Sequence, residues 1–466
     1  MADPLVLSLG KFVTDVRSNG IPDTVQKDAS ERVIDIMGNA LAALDEEPAS
    51  IALDLASDMG GAGQATSIGS DNQFPAPNAA LVNGTLAHAL DFDDTHLPSV
   101  LHPSSSVVPA ALAVAEMTGA SGSELLAAVA VGDEIAVRLG MASYDSEIRN
   151  SIFFENGLHA TSIVGTLASA AAAAMLLGLD DEEVSHAIGI AASMGAGLLE
   201  ANRTGGSVKR IHCGWAAHSG IIAAMLAKGG LTGPPTVLEG RFGFFRAYSE
   251  GRFDTDAILG GLGSQWEMLR IFYKPYPTNH FTHAGIDASL RLLERGIDPS
   301  EIDRIRLGVP APVLRTIAEP SDQKARPLTP YHAKFSGPFT VAAALVGGGG
   351  LGVYSNDFTP ETLQDAERLR LAGLVDCYAD DEATEIFPHQ FPGVLTVGLR
   401  DGSELTERIS VNRGGPDRPL SSDELATKFR LNASQHLPEG QVEELEAALW
   451  GLAHASSVFD VVALSH

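Results

Sequence analysis

From Asp28 onward the apolar residues Val33, Ile34, Met37, Leu41 and Leu44 recur at steps of three and four, which predicts an amphipathic helix with one buried face. The same period continues to about residue 265, through the Ala-rich segments Pro109 to Met117, Glu124 to Leu139, Ser169 to Leu177 and Ala216 to Ala227. Small side chains let helix axes approach closely, so this part reads as all-helical. After Trp266 the period changes. Ile305, Leu307 and Val309 alternate with Arg306 and Gly308 before Pro310, as a half-buried strand does. Leu395, Val397 and Leu399 lead to Asp401-Gly402, with Leu405, Ile409 and Val411 beyond, which predicts a hairpin whose two turn positions favour positive φ. Past Gly414-Gly415-Pro416, Ser421 to Phe429 and Gln441 to His454 return to the helical period.

The predicted class is mainly α. Residues 1–268 and 412–466 form a large helical domain from both chain ends, and residues 269–411 form a smaller inserted α+β domain; the alternative is a separate helical tail. The stretch Gly157 to Leu179 carries no formal charge and is long enough to span a bilayer, but its Ala-rich centre and the following Asp180, Asp181 and Glu182 suit a helix packed inside a helical core. Asp3 stands where a secretory leader carries basic residues, and Lys11 interrupts the apolar run, so the chain is expected to start near Met1 and to work in the cytoplasm.

Composition narrows the function. The 466 residues are 45% apolar and 19% charged, enough for a large core, and 31 basic against 59 acidic residues leave a net charge of -28. That field repels nucleic acid and anionic membranes, so neither is an expected partner, and an anionic substrate needs a local basic pocket. Cys213 and Cys377 belong to no metal-binding spacing, which excludes a disulfide framework and a structural zinc or iron-sulfur site.

The densest polar run is His88-Ala-Leu-Asp91-Phe-Asp93-Asp94-Thr95-His96, followed by His102-Pro103-Ser104-Ser105-Ser106. It offers acids, bases or metal ligands. Asp91, Thr95 and His102 converge if a helix ends near Thr95 and Pro98 turns the chain; alternatively Asp93 and Asp94 cap one helix while Ser104 to Ser106 start the next. The Asp91-Phe92-Asp93-Asp94 pattern also occurs in cyclases that stabilise carbocations on aromatic faces, but 6% aromatic residues argue against that chemistry here. A second run, Gly205-Gly206-Ser207-Val208-Lys209-Arg210-Ile211-His212, places two glycines before a helix start, with Lys209 and His212 on one face where a carboxylate could bind. Lys274 and His280 lie on a Pro-stiffened loop, Tyr273 to His283, at the expected domain junction. Ser336 either binds substrate or caps the apolar helix after it, and His159, taken alone, reads as a core histidine.

Taken together, Asp91-Phe-Asp-Asp-Thr95, His102-Pro-Ser, Gly157-Leu-His159-Ala-Thr-Ser, Lys209-Arg-Ile-His212-Cys-Gly-Trp, Lys274-Pro-Tyr-Pro and Ala333-Lys-Phe-Ser336 resemble the MmgE/PrpD family, over nearly the whole chain and in the family's order. Members include 2-methylcitrate dehydratase, cis-aconitate decarboxylase and iminodisuccinate epimerase. The resemblance implies a helical domain with an inserted α+β lid, a homodimer, and a site in the cleft that needs no cofactor or metal. It implies catalytic roles for Asp91, Thr95, His102, His159, Lys209, Lys274 and His280, and substrate binding by Lys209, Lys274, His212 and Ser336. The spacing from Thr95 to His102 is one residue longer than in the decarboxylase pattern, and Phe339 stands where that pattern has a Tyr.

The expected reaction is a cofactor-independent hydro-lyase acting on a 2-methylcitrate-like di- or tricarboxylate. Lys209 and Lys274 would bind carboxylates, and His102 or His159 would move the proton, with Asp91 orienting a histidine or serving as base. A decarboxylase or an epimerase on a related acid is the alternative within the family, and a non-catalytic helical binding protein the alternative outside it.

Overall fold

The computed structural model describes residues 3–201 and 206–466. The chain divides into two compact units, Met1–Ile271 with Leu425–His466, and Phe272–Glu424. The mainly α class is as expected.

In the first unit the uncharged helix Ala160–Leu176 is buried almost throughout, packed against Gly122–Ala142, Ser104–Thr118 and His212–Lys228. Its small side chains set these distances. A Cβ on Gly220 would fall 2.6 Å from the Ser169 side chain, and one on Gly84 would fall 2.7 Å from the backbone of Gly214, so close crossings fix these glycines. Among the described residues, no helix is long and apolar enough to cross a membrane. Two antiparallel pairs of two-residue strands, Ala65–Thr66 with Gln73–Phe74 and Tyr144–Asp145 with Asn150–Ser151, interrupt the helical pattern expected up to residue 265. Ser121 with Glu124, and Asp180 with Glu183, close capping boxes that start two of the helices.

The C-terminal segment completes this unit from inside. Lys428 is buried, pairs with Asp35 at 2.6 Å and donates to the Phe92 carbonyl at 2.9 Å, while Asn432 reaches Asn39 at 3.1 Å. Asn39 also donates to the Phe92 carbonyl. Residues far apart in sequence therefore fix the chain at Phe92, in the middle of the polar run. Removing one partner of such a buried ion pair costs about 3–5 kcal/mol.

The second unit holds a four-stranded sheet in the order Val375–Ala379, Ile302–Val309, Gly393–Leu399, Glu404–Ile409. The first two strands pair in parallel and the others antiparallel. Helix His283–Glu294 packs on the last two strands, and Gly337–Gly347 packs on that helix. The hairpin forms where Asp401-Gly402 predicts it, with a different turn. Only Gly402 has positive φ, Gly402 N–H bonds to the Leu399 carbonyl, and Leu399 pairs with Ser403. That is a three-residue loop with a glycine in the left-handed region.

Candidate active site

The polar run lies in irregular chain between two helices of the first unit. Helix Ala76–His88 stops at His88, earlier than the expected end near Thr95, and the next helix starts at Ser104. A short bridge between His96 and Leu101 folds the intervening residues back through Pro98. This return brings Thr95 and His102 together, with Thr95 Oγ1 3.3 Å from His102 Nδ1. Asp91 sits at φ 56°, a left-handed conformation that Asp tolerates better than most residues, and strain of this kind collects at functional sites.

His102 has a defined tautomer. Its Nδ1 is 2.6 Å from the Asp94 carbonyl oxygen, which can only accept, so Nδ1 carries a hydrogen and, in the neutral ring, Nε2 carries the lone pair. Its main-chain N–H is held by Thr161 Oγ1 at 3.2 Å.

His159 caps no backbone group with its side chain; its Nδ1 lies 2.8 Å from His212 Nδ1. Burial, and then the positive charge of Lys209 and the surrounding imidazoles, pushes the His159 imidazole well below its ordinary range, and burial takes His212 down to about 4. Both rings are therefore neutral near neutral pH. One Nδ1–H must point at the other ring's lone pair, so the pair presents one Nε2 lone pair and one Nε2–H. A general base and a general acid thus come from one contact, and the roles exchange when one Nε2 gains a proton, the central proton crosses and the other Nε2 loses its proton.

Lys209 lies in the 3-10 turn Ser207–Ile211, is buried, and places its ammonium 3.3 Å from Asp91 Oδ1. His212 opens the next helix. Gly205 lies outside the described residues, so the expected paired-glycine anion turn is represented only by Gly206.

Asp93 and Asp94 neither start nor end the helix before them; their carboxylates meet the first turn of Ser104–Thr118. Asp94 pairs with Arg32 at 2.9 Å and accepts from the Ser104 hydroxyl, which also contacts Asp133 Oδ2 at 2.8 Å. A hydroxyl has one hydrogen for two carboxyl groups, an arrangement that favours a proton held between them. Burial pushes Asp94 up to about 6 despite Arg32, and burial with the neighbouring Asp94 pushes Asp133 well above the usual range.

His88, named in the polar run without a role, proves central. Its Nδ1 is 2.7 Å from Asp93 Oδ2, and its ring centroid is 5.3 Å from that of His102 and 5.7 Å from that of His159. His88, Asp93 and Cys213 each place a possible ligand atom within 4.8 Å of the others. These are three donors rather than the four of a structural site, a hydrogen bond joins two of them, and burial pushes the Cys213 thiol well up, away from thiolate. No metal is assigned to them.

In the second unit Lys274 is fully buried. His280 stacks on His283 with centroids 4.4 Å apart, and the rings of Phe272 and Phe391 stand edge-on to it at 5.9 and 5.6 Å. Tyr276 donates to Asp287 at 2.5 Å, and Arg418 pairs with the other oxygen of that carboxylate at 2.5 Å. Ser336 takes the capping role: its oxygen accepts from the Phe339 N–H, and its hydrogen goes to the Lys324 carbonyl. Phe339 is fully buried in an apolar cluster with Tyr276, Ile286 and Phe358, so it is a packing position.

Residues 7–256 match the family described as MmgE/PrpD N-terminal domain, and residues 276–452 match MmgE/PrpD C-terminal domain. A cis-aconitate decarboxylase of Homo sapiens is 34% identical over 394 residues, covering 80% of this chain and 76% of that enzyme. A cis-aconitate decarboxylase-like protein, oryM, of Aspergillus oryzae is 27% identical over 98% of this chain and 96% of its own length. A 2-methylcitrate dehydratase of Salmonella typhimurium is 25% identical over 81% of this chain and 79% of its own length.

Proposed function

The chain belongs to the MmgE/PrpD family and is a lyase, and from that premise we propose that it acts on a small di- or tricarboxylate by proton transfer at a carbon next to a carboxylate. The observation that supports this most is the array of His102, His159 and His212 with Lys209: neutral or tautomer-defined imidazoles beside a buried ammonium. A carbanion next to a carboxylate adds negative charge to an already anionic molecule. A fixed cation in a site poor in water is what stabilises that charge. A binding protein has no need of a base and an acid set side by side.

Two bond cleavages can use this apparatus. In decarboxylation of a cis-aconitate-like acid, the bond to one carboxylate breaks, CO2 leaves, and the electron pair stays on the carbon skeleton opposite Lys209. A protonated His102 then delivers a proton to carbon. In dehydration of a 2-methylcitrate-like acid, His102 Nε2 takes the proton from carbon and the Nε2–H of the His159 and His212 pair protonates the departing hydroxyl while the pair's bare Nε2 takes a proton from solvent, so the pair ends neutral. Identity of 34% to the human decarboxylase against 25% to the Salmonella dehydratase favours decarboxylation. Phe339, where the decarboxylase pattern has a Tyr, packs in the apolar cluster and offers no hydroxyl, so decarboxylation here draws its proton from the imidazoles.

The test is to incubate the protein separately with cis-aconitate and with 2-methylcitrate and to follow each by NMR with CO2 detection. Consumption of cis-aconitate with stoichiometric CO2 is expected. Loss of water from 2-methylcitrate alone would establish the second cleavage, and turnover of neither acid would contradict both. Activity should survive exhaustive chelation; restoration only by a divalent metal would reassign His88, Asp93 and Cys213 to that metal.

A further inference from the structure

Asp93 takes no part in the steps above, yet its placement is specific. Its side chain is fully buried. One oxygen, Oδ2, receives His88 Nδ1 at 2.7 Å and the Ser105 hydroxyl, and the same oxygen lies 3.8 Å from His102 Nδ1. The other titratable groups that act on Asp93 are Asp94 from the same stretch, Asp35 from helix Asp23–Ala42 with its partner Lys428, and Cys213 from helix His212–Lys228, while His159, His212 and Lys209 surround the imidazoles beside it.

We propose that Asp93, held by His88 and Ser105, is a positioning residue that stabilises the imidazolium form of His102. The proposal rests on the reading of His102 as a proton-transfer group. Nδ1–H of His102 is committed to the Asp94 carbonyl, so the transferred proton enters and leaves at Nε2. The positive charge then spreads over both ring nitrogens and faces the Asp93 carboxylate where solvent screens it little. Asp93 itself gains no proton: the substrate's proton moves to Nε2, its electron pair stays on carbon, and the return step reverses this. His159, by contrast, meets another imidazole at Nδ1. The two histidines therefore divide the work. His102 is the ring equipped to carry charge, and the His159 and His212 pair is equipped to stay neutral.

The test is the isosteric variant Asp93→Asn, assayed across pH beside wild type and His102→Asn with whichever of cis-aconitate or 2-methylcitrate the wild type turns over. Removing the anion makes His102 a weaker base. Turnover should fall about a hundredfold with KM within about threefold, and the limb of the pH profile that is absent in His102→Asn should move to lower pH. A structural role alone would lower activity without moving that limb. If the limb and turnover of Asp93→Asn match wild type while His102→Asn is inactive, this inference fails and the assignment of His102 stands. If His102→Asn retains wild-type turnover, both fail. Should Asp93→Asn not fold, histidine-selective 15N NMR of the unaltered protein gives the same decision: His102 should take up its proton at higher pH than His159 and His212, and the reverse order overturns the proposal.

Discussion

In the first unit His88, His102, His159 and His212 face one another, Lys209 and the Asp93 carboxylate; in the second, His280 and His283 stack together between the edges of Phe272 and Phe391. Both groups are buried, and both follow sequence runs rich in histidine. Their neighbours separate them. Imidazoles that touch carboxylates, a lysine and other imidazoles have their tautomers and charge fixed by hydrogen bonds. In the second group the rings of Phe272 and Phe391 pack against His280 and that of Tyr276 against His283, whose Nε2 meets the Thr278 carbonyl at 3.2 Å. We therefore propose proton chemistry for the first group, where imidazoles meet carboxylates and a lysine.

The largest test of that division is His102→Asn, which should lower turnover by roughly a thousandfold, within the range of a lost acid or base. Retained activity would end the distinction. Lys209→Ala should cost about a hundredfold in kcat, because the cation acts on charge that develops in the reaction. A variant that raises KM alone would make Lys209 a binding residue. In the second group, His280→Asn should lose at least tenfold less activity than His102→Asn; an equal loss would move proton transfer into the second unit.

The smallest effect is on stability. His212 in the folded chain holds no proton until pH falls to about 4, whereas the unfolded chain takes one up near 6.5. Its contribution is intact above about 6.5 and is lost as pH falls towards 4, by about 3 kcal/mol at most, since the ring is not wholly shielded from solvent. Asp94, raised to about 6, works in the opposite sense between 3.8 and 6, so the useful quantity is the difference between wild type and His212→Gln. Melting temperatures across pH 4 to 7 should fall less steeply in the variant. Parallel curves would show that His212 is not held neutral by the fold.

Much of this could be read from local pattern. Strand Ile302–Val309 and the hairpin around Gly402 follow from alternation and turn residues. Strand Val375–Ala379 did not declare itself, because it is a half-buried edge strand whose partner lies some seventy residues earlier. In the site, the return of the chain at Pro98 brings Thr95 to His102 much as the sequence suggests. The contact between His159 and His212 is set by how two Ala-rich helices cross, and no spacing encodes it. Asp133 stands beside Glu134 in an apolar helix, and only the fold shows it sharing Ser104 with Asp94.

The central claim is that an imidazole of the first unit exchanges a proton with a substrate carbon. Turnover of cis-aconitate in heavy water tests it most directly, with deuterium in the product counted by NMR and mass spectrometry. The account predicts one deuterium per turnover at the carbon that loses CO2 or at its allylic partner, because each proposed donor exchanges with solvent. A product formed at full rate without deuterium would contradict it.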